Sequence, residues 1–318
     1  MNKPGVVLIS TLFIVIIMSI ISSQIGKNFF LSIQRDSYID YKNYTLQLLM
    51  SAEKEAIKSI QKEIISSNKK LTYRDPILNQ SYFFSNELAT IQVDIVDASN
   101  CFNLNSIFIK SGDGIGINKD NQEWLERLLR LEGVNELNIE SFIDQLIDWV
   151  DLDNQPLNFG AENYFYIGPL STINQYTAKR LLFDLSEIRN FPIFDQISFT
   201  EISENLCVMP GLQNQLINVN TLNNSHKFLI ASFFDDDNLE YIESQILDIP
   251  ENGYDSVNEF TNKITRSISW PSQVLSINSK TLLISTKIFN ESFSNELESL
   301  VILDLSNSVK ILNRNFIF

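Results

Sequence analysis

The sequence predicts an α+β protein in which a long N-terminal helix packs on a small antiparallel sheet and a large α-helical domain is inserted. Two observations lead to this fold class. An apolar run at the N-terminus continues at helical spacing without proline, and segments with strand periodicity stand on both sides of a long block with helical periodicity. The helical block therefore interrupts a β region.

The N-terminus has the length and composition of a membrane anchor. After Lys3, Pro4 and Gly5, residues 6–25 carry no charge, and twenty helical residues span ~30 Å, the thickness of a bilayer's hydrocarbon core. A secretory signal peptide would have a longer basic region, a shorter apolar stretch and a small-residue cleavage site. Two interpretations remain: a simple anchor, or an N-terminus that resembles type IV pilins, with a short leader, a Gly and a helix that continues beyond the membrane.

The residues after the anchor favour the second interpretation. Apolar side chains recur every three or four positions, at Leu49, Ala52, Ala56, Ile60 and Ile64. Charges of both signs alternate between them, as on a solvated helix face. One helix from residue 6 to about residue 66 would be roughly 90 Å long. An ordinary anchor is more often followed by a polar linker.

Composition and charge narrow the function classes. The chain is 44% hydrophobic and 20% charged, with a net charge of −15, which is typical of a globular protein rather than a disordered one. No basic stripe is available to neutralise phosphates, so we expect no nucleic-acid partner. The negative charge is compatible with a divalent cation site.

The cysteines and the histidine limit the chemistry further. Cys101 and Cys207 are the only cysteines, so they allow a single pairing. A disulfide is expected if this part lies in an oxidising periplasm, and two buried free thiols are the alternative. His226 is the only histidine, in a polar helix-start context, and we expect it at the surface. No catalytic constellation is visible, so we expect no enzyme.

Local periodicity places the remaining elements. Strand character is expected over residues 82–97, 273–277, 281–289, 296–305 and 309–313. Short helices are expected over residues 177–182, 194–205, 227–234 and 239–247.

An acidic loop is the best candidate for site chemistry. Asp151, Asp153 and Glu162 stand at relative positions 1, 3 and 12 of the loop that follows a predicted helix, the offsets that an EF-hand uses for its carboxylates. Pro156 occupies the sixth place, where an EF-hand needs Gly, so we predict a calcium-binding loop rather than a true EF-hand. The alternatives are a solvated acidic loop that caps the helix and, less favoured, a pair of glycosidase-type carboxylates.

Several segments in this order and spacing resemble the K-type minor pseudopilins of bacterial type II secretion. Besides the short leader before Val6, the segments that carry the resemblance are residues 97–105, 122–129, 146–153, 160–166, 185–189, 207–210 and 217–222. The resemblance implies a type IV pilin-like fold with a helical insertion. It also implies cleavage after Gly5 by prepilin peptidase and N-methylation of Val6.

The resemblance further implies partners, ligands and a place in an assembly. The implied partners are the I- and J-type minor pseudopilins and the inner membrane, with secreted proteins as a further partner. The resemblance implies structural calcium, for which we select Asp151, Asp153 and Glu162, and a Cys101–Cys207 disulfide. If Val6 is the first mature residue, the fifth is Ser10, where most pilins carry Glu; K-type pseudopilins generally lack it.

These inferences divide the chain into five parts. Residues 1–5 are the leader, 6–25 the transmembrane part of the long helix and 26–66 its periplasmic part. Residues 67–97 and 266–318 form the pilin-like β domain, and residues 98–265 the inserted helical domain. The implied function is to initiate or cap the pseudopilus from a single-pass anchor in the inner membrane. A minor pilin or adhesin of a type IV pilus is the first alternative, and a membrane-anchored, metal-dependent periplasmic hydrolase is the second.

Overall fold

The computed structural model describes residues 4–65, 70–85, 89–112, 114–169, 174–211, 216–234, 238–264, 274–290, 293–304 and 308–317. Within them the helices are α1 (Pro4–Ile60), α2 (Pro76–Asn79), α3 (Lys119–Leu131), α4 (Glu136–Val150), α5 (Asn163–Tyr166), α6 (Phe199–Ser203), α7 (Lys227–Phe234), α8 (Leu239–Leu247) and α9 (Val257–Ile264). Shorter turns are a π-helical one at Gln61–Ile65 and 3-10 turns at Leu104–Ile107, Leu185–Asn190, Pro192–Asp195 and Asn224–His226. The strands are β1 (Tyr82–Ser85), β2 (Thr90–Asp97), β3 (Phe102–Asn103), β4 (Phe108–Ser111), β5 (Gly114–Ile117), β6 (Leu206–Cys207), β7 (Ile217–Asn218), β8 (Leu275–Ser276), β9 (Thr281–Asn290), β10 (Phe293–Asp304) and β11 (Ser308–Ile317).

The long N-terminal helix is present as predicted. α1 has 57 residues and is therefore about 85 Å long. Its N-terminal part is long and apolar enough to cross a membrane, and the described side chains of that part are exposed. Its C-terminal part buries Leu49, Ala52, Ala56 and Ile60, because residues three or four apart share one face of a helix. The π-helical turn continues the helix as far as Ile65, and residues 66–69 lie outside the described ones.

A five-stranded antiparallel sheet receives this face of α1. The strand order is β1-β2-β9-β10-β11. Alternate residues of the three central strands are buried together with the helix stripe: Ile91, Val93, Ile95, Leu282, Ile284, Ile288, Leu297 and Val301. This alternation is typical of a sheet with one face on a core, and the predicted α+β fold is confirmed.

The inserted helical domain lies between β2 and β9 and has its own core. The core centres on aromatic side chains, with the ring of Trp124 at 4.8 Å from that of Phe102 and 5.1 Å from that of Phe233. The indole N–H of Trp124 donates to Ser232 at 3.0 Å, so the one polar atom of this ring is satisfied inside the core.

One carboxylate joins the helical domain to the sheet. Asp97 ends β2, and its Oδ2 accepts hydrogen bonds from Thr221 Oγ1 at 2.6 Å, Ser279 Oγ at 2.6 Å and Asn218 Nδ2 at 3.1 Å. The helical domain also contacts the chain just beyond the C-terminal end of α1, where the N–H of Tyr73 donates to the carbonyl of Asn220 at 2.9 Å. The inserted domain therefore lies at the end of α1 that is away from the N-terminal anchor.

Three short elements differ from the prediction. Residues 177–182 form no helix, because their polar groups bond to the acidic loop: Thr177 N–H donates to Asn163 Oδ1 and Lys179 N–H to the carbonyl of Trp149. The helix predicted over residues 194–205 is divided between a 3-10 turn and α6. The strand predicted over residues 273–277 is only Leu275–Ser276, which pairs with Ile217–Asn218.

The pairing of Leu275–Ser276 with Ile217–Asn218 assigns these two residues to the helical domain rather than to the β domain. Leu275 is buried in the core of the helical domain, whereas a border at residues 265 and 266 would assign it to the β domain. A strand of two residues is stabilised by the partner it meets rather than by its own periodicity. Residue 273 lies outside the described residues.

Candidate metal centre

The three carboxylates predicted to bind calcium lie together at the C-terminal end of α4. Asp151 caps that helix, and its N–H donates to the carbonyl of Ile147 at 2.9 Å. Glu162 is the N-cap of α5, and its Oε2 accepts from the N–H of Asn163 at 3.3 Å. One oxygen each from Asp151, Asp153 and Glu162 lies within 4.8 Å of the other two. The loop thus folds back on itself so that its two ends meet.

Burial leaves two of these carboxylates incompletely paired. Glu162 is completely buried and Asp151 half-buried, whereas Asp153 is exposed. Glu162 Oε1 and Asp151 Oδ1 are shielded from solvent, and neither has a hydrogen-bond partner among the described residues. Asp153 Oδ1 accepts from the N–H of Gln155 at 2.8 Å. A buried carboxylate oxygen without a partner is costly, so a cation at this point would stabilise the loop.

The carboxylates also repel one another. Burial raises the pKa of Asp151, and the charge of Asp153 raises it further, while Lys179 and a backbone N–H act in the opposite direction. Burial likewise raises the pKa of Glu162; the Asn163 N–H and Lys179 lower it, and Asp151 and Asp153 raise it. A divalent cation between these groups would favour their charged forms.

Asp148 is a fourth carboxylate that the site prediction missed. It lies on α4, is completely buried and accepts the N–H of Leu157 on both oxygens at 3.2 Å. Burial raises its pKa to about 7; the Leu157 N–H lowers it, and the charges of Asp151, Glu162 and Asp144 raise it further. It thus holds the middle of the loop against α4. The sequence does contain a signal for Asp148, since it is an acidic residue on the core-facing side of a predicted amphipathic helix.

Gly160 is required by this contact. A Cβ atom at this position would lie 1.8 Å from Asp148 Oδ2. No side chain can be accommodated without moving the carboxylate or the backbone of the loop. The loop composition, rich in Asn, Pro and Gly, is therefore partly explained by close approach to α4.

Lys179 is the second residue that the site prediction missed. Its ammonium donates to the carbonyl of Asp153, to Asn154 Oδ1 at 2.7 Å and to the carbonyl of Leu152 at 3.4 Å. Its backbone has a positive φ of 48°, a conformation uncommon for a residue with a side chain. Lys179 therefore supplies one positive charge to a loop that has at least three negative ones.

Asn163 ties the loop to the following segment. Its Oδ1 accepts from both the N–H and the hydroxyl of Thr177, at 2.8 and 3.0 Å, and its Nδ2 donates to Asn154 Oδ1 at 3.1 Å. Tyr166, the last residue of α5, packs against Trp149 with ring centroids 5.1 Å apart. These contacts hold the loop on a rigid support at both ends.

The donor set fits a hard cation. The clustered ligands are all carboxylate oxygens, and calcium binds six to eight oxygens from carboxylates, carbonyls and water. Zinc prefers nitrogen and sulfur, and no histidine or cysteine joins the cluster within the part of the chain that the structure describes. The helix after the loop is a single turn of four residues, in keeping with the prediction that the loop is not a true EF-hand.

His226 performs a local structural role. Its Nδ1 accepts from the N–H of Asn223 at 3.0 Å in a capping box before α7. It is half-buried rather than exposed as predicted, and burial lowers its pKa to about 4, although the charge of Asp97 favours the protonated form. The histidine is neutral at pH 7 and serves as a hydrogen-bond acceptor.

The two cysteines form a disulfide. Their sulfurs are 2.02 Å apart, their Cα atoms 5.7 Å apart, and 106 positions separate them in the sequence. Cys207 lies in β6, which pairs in parallel with β3, and Cys101 directly precedes β3. The pairing implied by the resemblance is therefore present, and it joins the start of the helical domain to its distal half.

Comparison with known proteins gives consistent matches. The family model for protein K of the type II secretion system matches residues 100–211, which include the disulfide and the acidic loop. The protein described as putative type II secretion system protein K of Escherichia coli K12 is 23% identical over 236 residues, covering 73% of this chain and 70% of the relative. Type II secretion system protein K of Klebsiella pneumoniae is 26% identical over 233 residues, covering 73% and 71%.

The fold has a solved counterpart. A chain in the crystal structure of the GspK-GspI-GspJ complex from the type 2 secretion system of enterotoxigenic Escherichia coli superposes with a TM-score of 0.76. The two chains are 20% identical, and the match covers 89% of this chain and 99% of that one. Together with the sequence matches, this structural match shows that the chain is similar to protein K of the type II secretion system in both sequence and fold.

Proposed function

We propose that this protein is the minor pseudopilin that initiates and caps the pseudopilus of a type II secretion system, in support of the export of folded proteins. The observation that carries the proposal is the position of the family-matched helical domain, which adjoins the end of α1 that is away from the anchor. The segment beyond α1 touches this domain through Tyr73 and Asn220 and through the Lys70–Asp255 ion pair. A domain of this size at one end of the subunit fits a cap better than a repeated unit of a shaft.

The N-terminal part of α1 would anchor the subunit in the inner membrane, with the bulk of the chain in the periplasm. We further propose cleavage after Gly5 and methylation of Val6. The fifth residue of that mature chain is Ser10. A lone carboxylate at membrane depth would cost ~2.5–3.5 kcal/mol, and a subunit with none above it has no partner for such a charge. A serine at this position is therefore consistent with the tip.

The proposed partners are I- and J-type minor pseudopilins, since the solved counterpart comes from a complex with GspI and GspJ. Contacts would form through exposed apolar side chains of α1, such as Phe29, Phe30 and Ile33, which are at least half exposed in the isolated subunit. Packing of such residues between neighbouring helices would remove them from solvent. Secreted proteins would be a further partner at the cap.

The proposed cofactor is structural calcium bound by Asp151, Asp153 and Glu162. The support is the two unpaired, buried carboxylate oxygens and the mutual repulsion of the three groups. The ion would hold the loop between α4 and α5 in one conformation. It would thereby also define the protein surface around the loop. The role is assembly rather than catalysis, as expected for a component of a secretion machine.

Co-isolation tests the proposal. The full chain is purified in detergent together with the I- and J-type subunits of the same bacterium, with calcium and after chelation. A stable ternary complex that weakens on chelation is expected. Failure to associate in either condition would contradict the pseudopilus assignment and favour a pilin of another system.

A further inference from the structure

A cavity of about 300 Å³ lies between the sheet and the helical domain. Its floor is the face of the sheet that points away from α1, with Leu283, Glu298 and Leu300. Its opposite wall belongs to the helical domain and includes Asp184, Val208 and Met209. The cavity shares no residue with the candidate metal centre.

Strand register explains why these residues line the floor. Leu300 pairs with Leu283 on one neighbouring strand and with Asn313 on the other, and Glu298 pairs with Asn315. Residues 297, 299 and 301 alternate with them and are buried on the side of α1. Because successive side chains of a strand point to opposite faces, Glu298 and Leu300 both point towards the helical domain.

Two carboxylates line the cavity, and neither has an ion-pair partner among the described residues. Among the described residues, Glu298 has no ion pair, since Lys287 pairs with the neighbouring Glu296 at 3.1 Å. Burial raises the pKa of Glu298, Glu296 raises it further, Lys287 lowers it, and Asp184 on the opposite wall raises it again. Asp184 accepts the N–H of Ser186 at 2.8 Å and has no ion pair within the described part of the chain.

This combination of apolar walls and an unpaired carboxylate selects a type of ligand. Lysine and arginine side chains have an aliphatic stem that packs on apolar surface and a charged end that binds a carboxylate. The volume is at the low end of ligand pockets, which begin at roughly 300 Å³, so it suits one side chain rather than a large cofactor. The net charge of −15 favours basic partners through electrostatic complementarity.

We propose that this cavity binds an arginine or lysine side chain that a partner protein presents between apolar residues, with Glu298 as the acceptor of the ion pair. The apolar neighbours of that side chain would contact Leu283, Leu300 and Met209 at the cavity walls. The site is a recognition site for a protein segment, and it does not depend on the pseudopilus assignment.

Fluorescence anisotropy with a labelled peptide tests this site on the full chain in detergent. The probe is a fluorescein-labelled pentapeptide with one arginine between two leucines and glycine at both ends. Its matched analogue has citrulline, which is neutral and of the same shape, in place of arginine. We expect the arginine peptide to bind at least about tenfold more tightly than the citrulline peptide, as a charge-assisted contact predicts.

Three variants make the test specific. Glu298→Gln should lower the affinity for the arginine peptide to that of the citrulline peptide, and Leu283→Trp, which fills the cavity, should abolish binding. Glu140→Gln removes the same charge from an exposed position of α4 and should leave the affinity unchanged.

Other outcomes would overturn the proposal. They are the absence of measurable binding, equal binding of the two peptides, or an unchanged affinity of Glu298→Gln or Leu283→Trp. Arginine amide, added as a competitor, distinguishes the source of the cation. If it displaces the peptide as effectively as unlabelled peptide does, the cavity takes a small organic cation and not a protein segment.

Discussion

Glu162 illustrates at the level of one residue why we propose a cation in the acidic loop. A completely buried carboxylate can be stabilised by a proton, by hydrogen bonds or by a positive charge. Glu162 receives one long hydrogen bond on Oε2, and Oε1 receives none among the described residues. Lys179 instead bonds to the carbonyls of Leu152 and Asp153. A calcium ion between the carboxylates would complete the pairing.

The prediction at this residue is a loss of calcium affinity. Glu162→Gln removes one anionic ligand while keeping the shape, so the affinity should fall at least about tenfold. Isothermal titration of the metal-free chain with calcium measures it. Glu140→Gln, on the exposed side of α4, should bind as the wild type does. Equal affinities of Glu162→Gln and wild type would remove Glu162 from the ligand set.

A second residue, Glu132, is expected to make the free energy of unfolding depend on pH. It caps the C-terminal end of α3, and its Oε1 accepts from Asn205 Nδ2 at 2.7 Å. Burial raises its pKa from 4.5 to about 7, against the effect of Asn205, and Glu204 raises it further. In this interval the folded state holds a proton that the unfolded chain has lost, so the free energy of unfolding falls as the pH rises from 4.5 to 7.

Glu132→Gln should reduce this pH dependence, because glutamine does not titrate. Between pH 4.5 and pH 7, the free energy of unfolding of this variant should decrease by about 2 kcal/mol less than that of the wild type. This value takes solvent screening into account. Denaturant unfolding at a series of pH values measures it. Glu123→Gln, an exposed position on the same helix, serves as the control. If the free energy of unfolding depends on pH equally in wild type and Glu132→Gln, Glu132 is not the group responsible.

At the scale of elements, an ion pair fastens the long helix to the edge of the sheet. Glu53 on α1 is 2% exposed. Arg314 on the edge strand β11 donates to both of its oxygens, at 2.9 and 2.6 Å. β11 is otherwise largely exposed, so this bidentate pair gives an edge strand a fixed position relative to the helix.

Breaking this pair should destabilise the protein measurably. Glu53→Gln leaves Arg314 without its counter-ion, and since Arg314 is partly solvated we expect a loss of about 2 kcal/mol in the free energy of unfolding. Glu55→Gln on the same helix disrupts only the exposed pair with Lys58 and should cost less than about 0.5 kcal/mol. Thermal unfolding in detergent measures both. Equal losses of stability in the two variants would show that the Glu53–Arg314 pair stabilises the protein no more than the exposed Glu55–Lys58 pair does.

Periodicity was sufficient to predict the elements that bury a regular face. α1 and the long strands β2, β9 and β10 follow from alternation or from spacings of three and four, because their apolar positions meet one continuous core. Residues 177–182 could not be predicted in this way. Their conformation depends on Asn163 and on the carbonyl of Trp149, which are distant in sequence, and such contacts override weak helix propensity.

The same limit applies to the candidate site. Asp151, Asp153 and Glu162 could be selected from their offsets in one loop. Asp148 and Lys179 could not, because the first acts through its burial under Gly160 and the second approaches the loop from a separate segment. Spacing predicts ligands that are close in sequence, whereas the groups that support them depend on tertiary contacts.

At the scale of the whole molecule, one feature holds the helical domain on the sheet and a second one closes the domain on itself. Asp97 accepts hydrogen bonds from Asn218, Thr221 and Ser279, and the Cys101–Cys207 disulfide closes the start of the domain onto its distal half. The Asp97 hydrogen bonds thus connect the domain to the sheet, and the disulfide connects two parts of the domain to each other.

Loss of the disulfide should lower stability substantially. The loop-entropy relation gives about 4–5 kcal/mol for a separation of 106 residues. Denaturant unfolding of wild type with and without reductant measures it. The double variant Cys101→Ala, Cys207→Ala should resemble the reduced protein and should not respond to reductant. An unchanged denaturation midpoint of the reduced wild-type protein would contradict a stabilising role of the disulfide.

The most direct measurement for the central claim is the position of the subunit in an assembled pseudopilus. Pseudopili are isolated from cells that overproduce the major subunit, and the helical domain is marked with a gold-labelled antibody for electron microscopy. We expect a single label at one end of each filament and no filaments in cells without this protein. Labels distributed along the shaft would contradict the proposal that the helical domain caps the assembly.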